Sequence, residues 1–279
     1  MHSSRRGTTI LDLVIVAGTL TLAAAIAGPI FSDRDQWMML AQNRLKDIGR
    51  AAAAYQNDFQ NYLPIAGSRA PRGVAYTNIQ GLCSWQFGGT NNSSFWYSTF
   101  SGLFDVEATD RPLNAYVYPG RTFGCPPPPQ RLAQNATART TEQAEAFQDP
   151  SDKVTRQRNW PNTTPNVTTY NDVGTSFLTP FIWQSQLMQQ GFSFTNSVLE
   201  ANRRIARSIR MAPDRFVWCA DESISTLTGQ SSPQYQLKNS YGDVNQGNSL
   251  FVDGHVHYIK IRPGRTDSFR NREFQFLFD

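Results

Sequence analysis

The sequence predicts an α+β protein in which a long N-terminal helix packs on an antiparallel, β-rich globular head with loop insertions. An apolar run from Ile10 to Phe31 leads into apolar residues at helical spacing, and an Asp-Gly pair near the C-terminus separates two strand-like segments. The chain is 39% hydrophobic and only 17% charged, with 16 prolines and 19 glycines. This composition favours a loop-rich, exported head over a cytosolic enzyme.

The apolar run follows a short basic leader, residues 1–7. As a helix, its 22 residues would rise about 33 Å, enough to cross the hydrocarbon core of a bilayer. The run carries one acid, Asp12, near its start, and a carboxylate inside lipid normally has a partner. We therefore predict a hydrophobic membrane helix over residues 8–31. A removable secretory signal is the alternative, because Ala23–Ala25 resembles a cleavage site.

The helix is predicted to continue as an amphipathic segment over residues 32–63, with a kink at Pro29 and a stop at Pro64. Its apolar positions recur every three or four residues and so share one face. These positions are Ala41, Leu45, Ile48, Ala52, Tyr55 and Phe59. Because the opposite face is charged, the apolar face is expected to pack on a head formed by residues 64–279.

The head carries two strong strand signals. Residues 216–219 form an apolar run that reads as a buried strand. The Asp253-Gly254 pair lies between two further apolar segments and predicts a hairpin with a two-residue type I′ turn. The Pro-, Thr- and Asn-rich stretch over about residues 126–171 is predicted to be a surface insertion.

Three segments of the chain resemble the type IV pilin and type II secretion pseudopilin superfamily. They are residues 7–16 (GTTILDLVIV), residues 40–64, and residues 247–256 (GNSLFVDGHV). The last is similar to the DG signature of large-headed members of that superfamily. The resemblance implies a pilin-like fold, with the hydrophobic helix as the filament core.

The resemblance also assigns roles to individual residues. It implies peptidase cleavage between Gly7 and Thr8, methylation of the new N-terminus, and an assembly role for Asp12 as the partner of that amine in a neighbouring subunit. Pro29 stands where the superfamily has a mid-helix proline. The chain departs from the usual pattern in having Thr8 rather than phenylalanine, Asp12 rather than glutamate, and Asp243 rather than histidine ten residues before the signature aspartate.

The function implied by the resemblance is that of a structural subunit of a type IV pilus-like extracellular filament, assembled by packing of hydrophobic N-terminal helices. The implied partners are copies of itself, a prepilin peptidase, and an inner-membrane assembly platform with a separate ATPase. The precursor is expected to span the inner membrane once, and the mature chain to lie at the cell surface. A type II secretion pseudopilin and a monomeric membrane-anchored binding domain are the alternatives. No specific nucleic-acid partner is predicted, since basic stripes are usually solvated.

The chain has three cysteines, so an exported head leaves one or more unpaired. Cys83 with Cys125 is the first choice for a disulfide, because the loop-rich segment between them would gain most from a crosslink. Cys125 with Cys219, and three reduced thiols, stay open. Cys219 itself lies in the apolar strand and reads as a buried thiol.

His255 and His257 lie on one face of the last predicted strand and are weak candidates for metal ligands, which Asp221 and Glu222 could join. Nothing fixes a third ligand, so no cofactor is predicted, with calcium on carboxylates and loop carbonyls as the alternative. An enzyme is not expected. The sequence has no Walker loop, no dinucleotide glycine pattern, and no serine or cysteine nucleophile motif beside these histidines.

Overall fold

The computed structural model describes residues 32–64, 67–68, 81–82, 84–91, 93–99, 102, 104–124, 142–193, 196–197, 200–201, 203–204, 212–265 and 269–278. Within these ranges the helices are α1 (Asp33–Asp58), α2 (Phe95–Ser98), α3 (Asn114–Val117), α4 (Thr169–Val173), α5 (Ile182–Gln189) and α6 (Glu222–Thr228). The strands are β1 (Gly67–Ser68), β2 (Gly81–Leu82), β3 (Phe177–Leu178), β4 (Val217–Asp221), β5 (Gln246–Phe251) and β6 (Val256–Lys260). β1 pairs with β2, and the other four form an antiparallel sheet in the order β3-β4-β5-β6.

Helix α1 begins at a side-chain cap and ends at a backbone reversal. The Ser32 hydroxyl accepts a hydrogen bond from the Asp35 N–H at 3.3 Å, which satisfies one free donor of the first turn. The helix stops at Asp58, five residues before the predicted end, and Gln60 and Asn61 follow with φ of 54° and 68°. Left-handed conformations cannot continue an α-helix, so the chain turns away before Pro64.

The predicted apolar stripe of α1 faces the head. Ala41, Leu45, Ile48 and Ala52 are buried in the main core cluster, whereas Phe59 is 47% exposed. The helix crosses the sheet so closely that a Cβ on Gly49 would lie 2.9 Å from Leu250 Cδ1. Only glycine avoids that contact without a shift, so the spacing between α1 and β5 depends on this residue.

The C-terminal hairpin is present, with a different turn from the one predicted. The Phe251 N–H donates to the His255 carbonyl at 2.9 Å, and the Gly254 N–H donates to the Phe251 carbonyl at 3.0 Å. Gly254 has φ of 92°, whereas Asp253 is not among the residues with positive φ. A type I′ turn needs positive φ at both central residues, so the connection is instead a three-residue loop with one left-handed position.

Strand β4 is buried over its whole length and separates two core clusters. Trp218 and Cys219 both belong to the cluster beneath α1, because a register irregularity between Val217 and Cys219 interrupts the alternation of side chains. Val217 and Ala220 belong to the second cluster, with α6 and the C-terminal phenylalanines. The sheet is therefore covered on both faces.

The connections also supply core residues. Residues 142–171, which the sequence placed in a surface insertion, contribute Ala144, Phe147 and Tyr170 to the main core cluster. Phe87 packs edge-on to Trp218 with ring centroids 5.5 Å apart. The loops around residues 84–124 and 142–176 therefore form part of the body of the head.

The predicted pilin-like fold class, a long apolar N-terminal helix on a β-rich head, is corrected by the structure. The described residues form an α+β arrangement of a four-stranded antiparallel sheet with helices. The outer face of α1 is charged. Neither α1 nor any other helix of the described ranges is long and apolar enough to span a bilayer. This finding contradicts the predicted single-pass inner-membrane precursor and the localisation built on it. The run over residues 8–31 lies outside the described residues.

Candidate functional site

Several residues with predicted roles lie outside the part of the chain that the structure describes. They are the processing residues Gly7 and Thr8, the assembly residues Asp12 and Pro29, and the disulfide candidates Cys83 and Cys125. Cys219, by contrast, is described and is a free, fully buried thiol. Burial and the nearby Asp221 carboxylate raise the pKa of this thiol well above its usual value.

The two histidines lie at the hairpin and not at a convergent site. His255 Nδ1 is 2.7 Å from Asp253 Oδ1, and its ring stacks on Phe251 at 4.0 Å. His257 is exposed on β6 opposite Ser249. Within the described residues, no group of three His, Cys, Asp or Glu side chains is arranged to hold a metal ion.

Asp221 and Glu222 instead line a buried acidic cavity at the end of β4. The cavity has a volume of about 20 Å³, room for one water molecule or a group of similar size. Asp149 and Asp152 line the same cavity, together with one guanidinium, that of Arg156. The lining is therefore strongly biased towards negative charge.

Glu222 is the carboxylate that Arg156 compensates. Its Oε1 accepts hydrogen bonds from the Arg156 N–H at 2.7 Å and from Gln157 Nε2 at 2.9 Å, and its Oε2 accepts from Arg156 Nη1 at 3.1 Å. Glu222 is the first residue of α6 and follows β4 directly. The change from buried strand to helix thus places two adjacent acids in the wall of the cavity.

Asp152 is held by the chain around α4. Its oxygens accept from the Thr169 N–H at 3.0 Å, the Tyr170 N–H at 2.8 Å and the Ser176 hydroxyl at 2.6 Å. These bonds favour the charged form, but burial outweighs them and raises the pKa of Asp152 to about 7. Asp152 thus titrates near neutral pH while tying three backbone segments together.

Asp149 and Asp221 are joined through two neutral side chains. Asp149 Oδ2 accepts from the Tyr241 hydroxyl at 2.8 Å, and Asn248 Nδ2 lies 3.5 Å from that hydroxyl. Asp221 Oδ2 accepts from the Asn248 N–H at 2.7 Å and from Asn248 Nδ2 at 3.2 Å. Burial, followed for Asp221 by repulsion from Asp149, raises the pKa of both carboxyls. Asp221 Oδ1 is buried and has no hydrogen-bond partner among the described residues.

A wider groove of about 420 Å³ adjoins the cavity. Residues 239–241 and Arg156 line both spaces, so the two lie side by side. The groove also exposes Lys153 and Lys238. A cavity with acidic walls therefore opens beside a basic rim.

We expect the stability of the head to fall as pH rises from about 4 to about 7. Asp152 has a folded-state pKa of about 7, so in this range the folded chain keeps a proton that the unfolded chain loses. One such group lowers the free energy of unfolding by on the order of 1.4 kcal/mol per pH unit. Burial shifts the pKa of the other cavity carboxyls in the same direction. Urea denaturation at pH 5 and pH 8 measures the difference.

The matched variants are Asp152→Asn, which should make this pH dependence shallower, and Asp214→Asn, which should not. Asp214 is an exposed acid on the connection before β4. A head that is more stable at pH 8 than at pH 5 would contradict the assignment.

The sequence singled out only half of this cavity. The sequence suggests Asp221 and Glu222 as partners for the histidines, whereas the structure brings them to Asp149 and Asp152. The signal for the latter pair is the DPSD segment at residues 149–152, but its position in a Pro- and Thr-rich stretch points to the surface.

Comparison with family models, curated proteins and solved structures finds no match to this chain.

Proposed function

We propose that the chain is a structural, self-assembling subunit of a pilus-like filament. The proposal takes its starting point from the resemblance in residues 7–16, 40–64 and 247–256. The observation that carries it is a cluster of exposed apolar side chains at the N-terminal end of α1. Its occupant in the assembly is a second copy of the chain.

The exposed apolar cluster consists of Trp37 and Leu40, which lie three residues apart on one side of α1 and are 39% and 43% exposed. Met39, which is 48% exposed, projects from a different side of the helix. Further along α1, Leu45 and Ile48 are instead buried against the head. The first two turns of the helix therefore carry apolar surface that the described part of the head does not cover. Burying one such side chain fully contributes about 1.5–3 kcal/mol.

The position of this cluster in the chain points to a copy of the same chain as its partner. The apolar stretch over residues 10–31 ends immediately before Ser32, the cap of α1. Each copy thus carries an apolar segment of 22 residues, and only the five polar residues 32–36 separate it from the exposed cluster. When copies pack together through the apolar segment and the exposed apolar cluster, both surfaces are removed from water. This burial favours a homopolymer over isolated monomers.

Polar contacts fix the direction in which α1 leaves the head. Arg34 forms an ion pair with Asp243, and its Nε donates to the Tyr241 carbonyl at 3.1 Å. Further along the helix, Gln42 Nε2 donates to Asn248 Oδ1 at 3.0 Å. A filament needs each head in a constant orientation relative to its packing segment, and these contacts supply one.

The test uses the full chain and two variants. We expect fibres by electron microscopy from the unaltered chain, and loss of fibres when Trp37 and Leu40 are both changed to serine. Met188→Ser is the control, because Met188 is 49% exposed but lies on α5 rather than α1. Circular dichroism checks that the variants fold.

Sedimentation velocity separates the outcomes. An unaltered chain that stays monomeric at high concentration would rule out the filament and favour a monomeric binding domain. Short, limited rods rather than long fibres would favour a pseudopilin. Equal assembly by the double variant and the control would show that the exposed apolar cluster is not part of the packing surface.

A further inference from the structure

A second groove, the α1–α3 groove, lies along one side of α1. It has a volume of about 430 Å³, which is within the size range of ligand sites. Ala51 and Ala54 line it from α1, and residues 116–118 and Ala146 line it from the head. The small alanine side chains leave room above the helix, so the groove can admit larger side chains from a partner.

The polar groups that line the α1–α3 groove already have partners. Asp47 and Arg50 form an ion pair at 2.7 Å, and the Tyr116 hydroxyl donates to Asp58 Oδ2 at 2.7 Å. The Tyr118 hydroxyl accepts a hydrogen bond from a backbone N–H at 2.8 Å. The groove therefore offers apolar contact rather than an uncompensated charge, which favours an apolar occupant.

The exposed apolar cluster, Trp37 and Leu40, repeats the spacing of this groove. Both pairs are three residues apart, and each cluster residue precedes its counterpart, Ala51 or Ala54, by 14 positions. This separation makes nearly four helical turns, so the two pairs lie on the same side of α1, about 21 Å apart along its axis. One continuous helix carries both pairs, so a copy cannot fill its own groove with its own cluster.

A neighbouring copy shifted by 14 residues along α1 also brings opposite charges together. With the two helices parallel, half-buried Arg44 comes level with Asp58, which is exposed. An ion pair between copies favours this register over others. Asp33 comes level with Asp47, whose charge Arg50 of its own copy already offsets. The apolar and the charged positions therefore favour the same shift.

We propose that Trp37 and Leu40 of one copy insert into the α1–α3 groove of the next, with the two α1 helices parallel and shifted by about 21 Å. The large side chains fill the space above Ala51 and Ala54, where small residues let the helices approach closely. This contact rests on the self-assembly proposed above and gives the exposed apolar cluster its receiving surface. Because it joins two different surfaces, every added copy leaves one cluster and one groove open, and the contact propagates into a fibre.

Electron microscopy of the full chain with Ala54→Arg tests this contact. The arginine should fill the groove and abolish fibres. Ala53→Arg is the matched control, because Ala53 is also exposed on α1 but does not line the groove, and it should leave fibres unchanged. Ala54 is exposed, so its variant is expected to fold, and circular dichroism checks this.

Complementation distinguishes this head-to-tail contact from a symmetric one. A copy with Trp37→Ser and Leu40→Ser keeps its groove, and a copy with Ala54→Arg keeps its cluster. Each alone should stay monomeric in sedimentation velocity. An equimolar mixture should form dimers and no fibres, since only one of the two contacts is possible.

Crosslinking decides the register even if Ala54→Arg does not fold. In fibres of a chain with serine at positions 83 and 125, Leu40→Cys together with Ala54→Cys should join successive copies by disulfides under mild oxidation, because the two positions are level. Leu40→Cys together with Ala53→Cys should not.

Normal fibres from the Ala54→Arg chain, a mixture that stays monomeric, or fibres without crosslinks between positions 40 and 54 would overturn this contact. Each of these results leaves self-assembly through the exposed apolar cluster in place. An unaltered chain that forms no fibres would overturn both proposals at once.

Discussion

Gly174→Ala is expected to cost more stability than any other single methyl group added to the described part of the chain. Gly174 has φ of 82°, and a Cβ there would lie 1.3 Å from the Thr90 carbonyl oxygen. That oxygen belongs to backbone that is itself tied down, because the Thr90 N–H donates to the Gly174 carbonyl at 3.1 Å. The two segments must separate to admit a methyl group, so we expect a loss of at least about 4 kcal/mol.

Gly191→Ala is the matched control for this prediction. Gly191 also has a positive φ, 88°, but nothing lies within 4 Å of its added Cβ. Its variant should therefore lose only the backbone strain of a left-handed alanine, about 1–2 kcal/mol. Urea denaturation of both variants measures the difference. Equal losses would mean that the contact between Gly174 and Thr90 is looser than described.

Arg111→Met is the second substitution with a large expected effect. Arg111 is 3% exposed, and its guanidinium donates to a ring of backbone carbonyls. Nη1 donates to Gly88 at 2.8 Å and to Val173 at 2.9 Å, while Nε donates to Val106 at 3.2 Å. Methionine fills similar space but donates nothing, so several buried carbonyls lose their partner at once.

We expect Arg111→Met to lose about 3–5 kcal/mol and to loosen the loops around residues 84–124 before the sheet. Tryptophan fluorescence should report the change, since Trp85 and Trp96 lie in this region with ring centroids 5.0 Å apart. Arg121→Met is the control, because exposed Arg121 covers the Phe123 and Tyr118 rings, at 4.6 Å and 5.2 Å from their centroids. Such a contact contributes about 0.5–1 kcal/mol. A loss no greater than that of the control would mean that water replaces the guanidinium.

The sequence predicted the elements that depend on local patterns, such as apolar periodicity or a turn-forming pair. The stripe from Ala41 to Ala52 placed one face of α1 on the head, and the Asp253-Gly254 pair located the hairpin. The end of α1 was less predictable. It depends on the left-handed conformations of Gln60 and Asn61. Asparagine adopts that conformation readily, but glutamine at position 60 gives no such signal.

The cavity was only partly predictable, because its walls come from segments far apart in the sequence. Asp149 and Asp152 lie in a polar stretch that reads as exposed, and only their packing beside β4 and residues 239–241 buries them. Gly89 shows the same limit: its added Cβ would lie 2.0 Å from the Gly174 carbonyl oxygen. Such close approaches depend on tertiary packing, and a single sequence contains no periodic signal for them.

The position of Cys219 makes its thiol a reporter of cooperative unfolding of the head. Its thiol sits on the central strand β4, is fully buried, and is made less acidic by its surroundings. Alkylating reagents attack thiolates, so they reach this sulfur only when the sheet itself separates. In a chain with serine at positions 83 and 125, the labelling rate of Cys219 would measure how often the whole head opens. Local fraying of the loops would not change that rate.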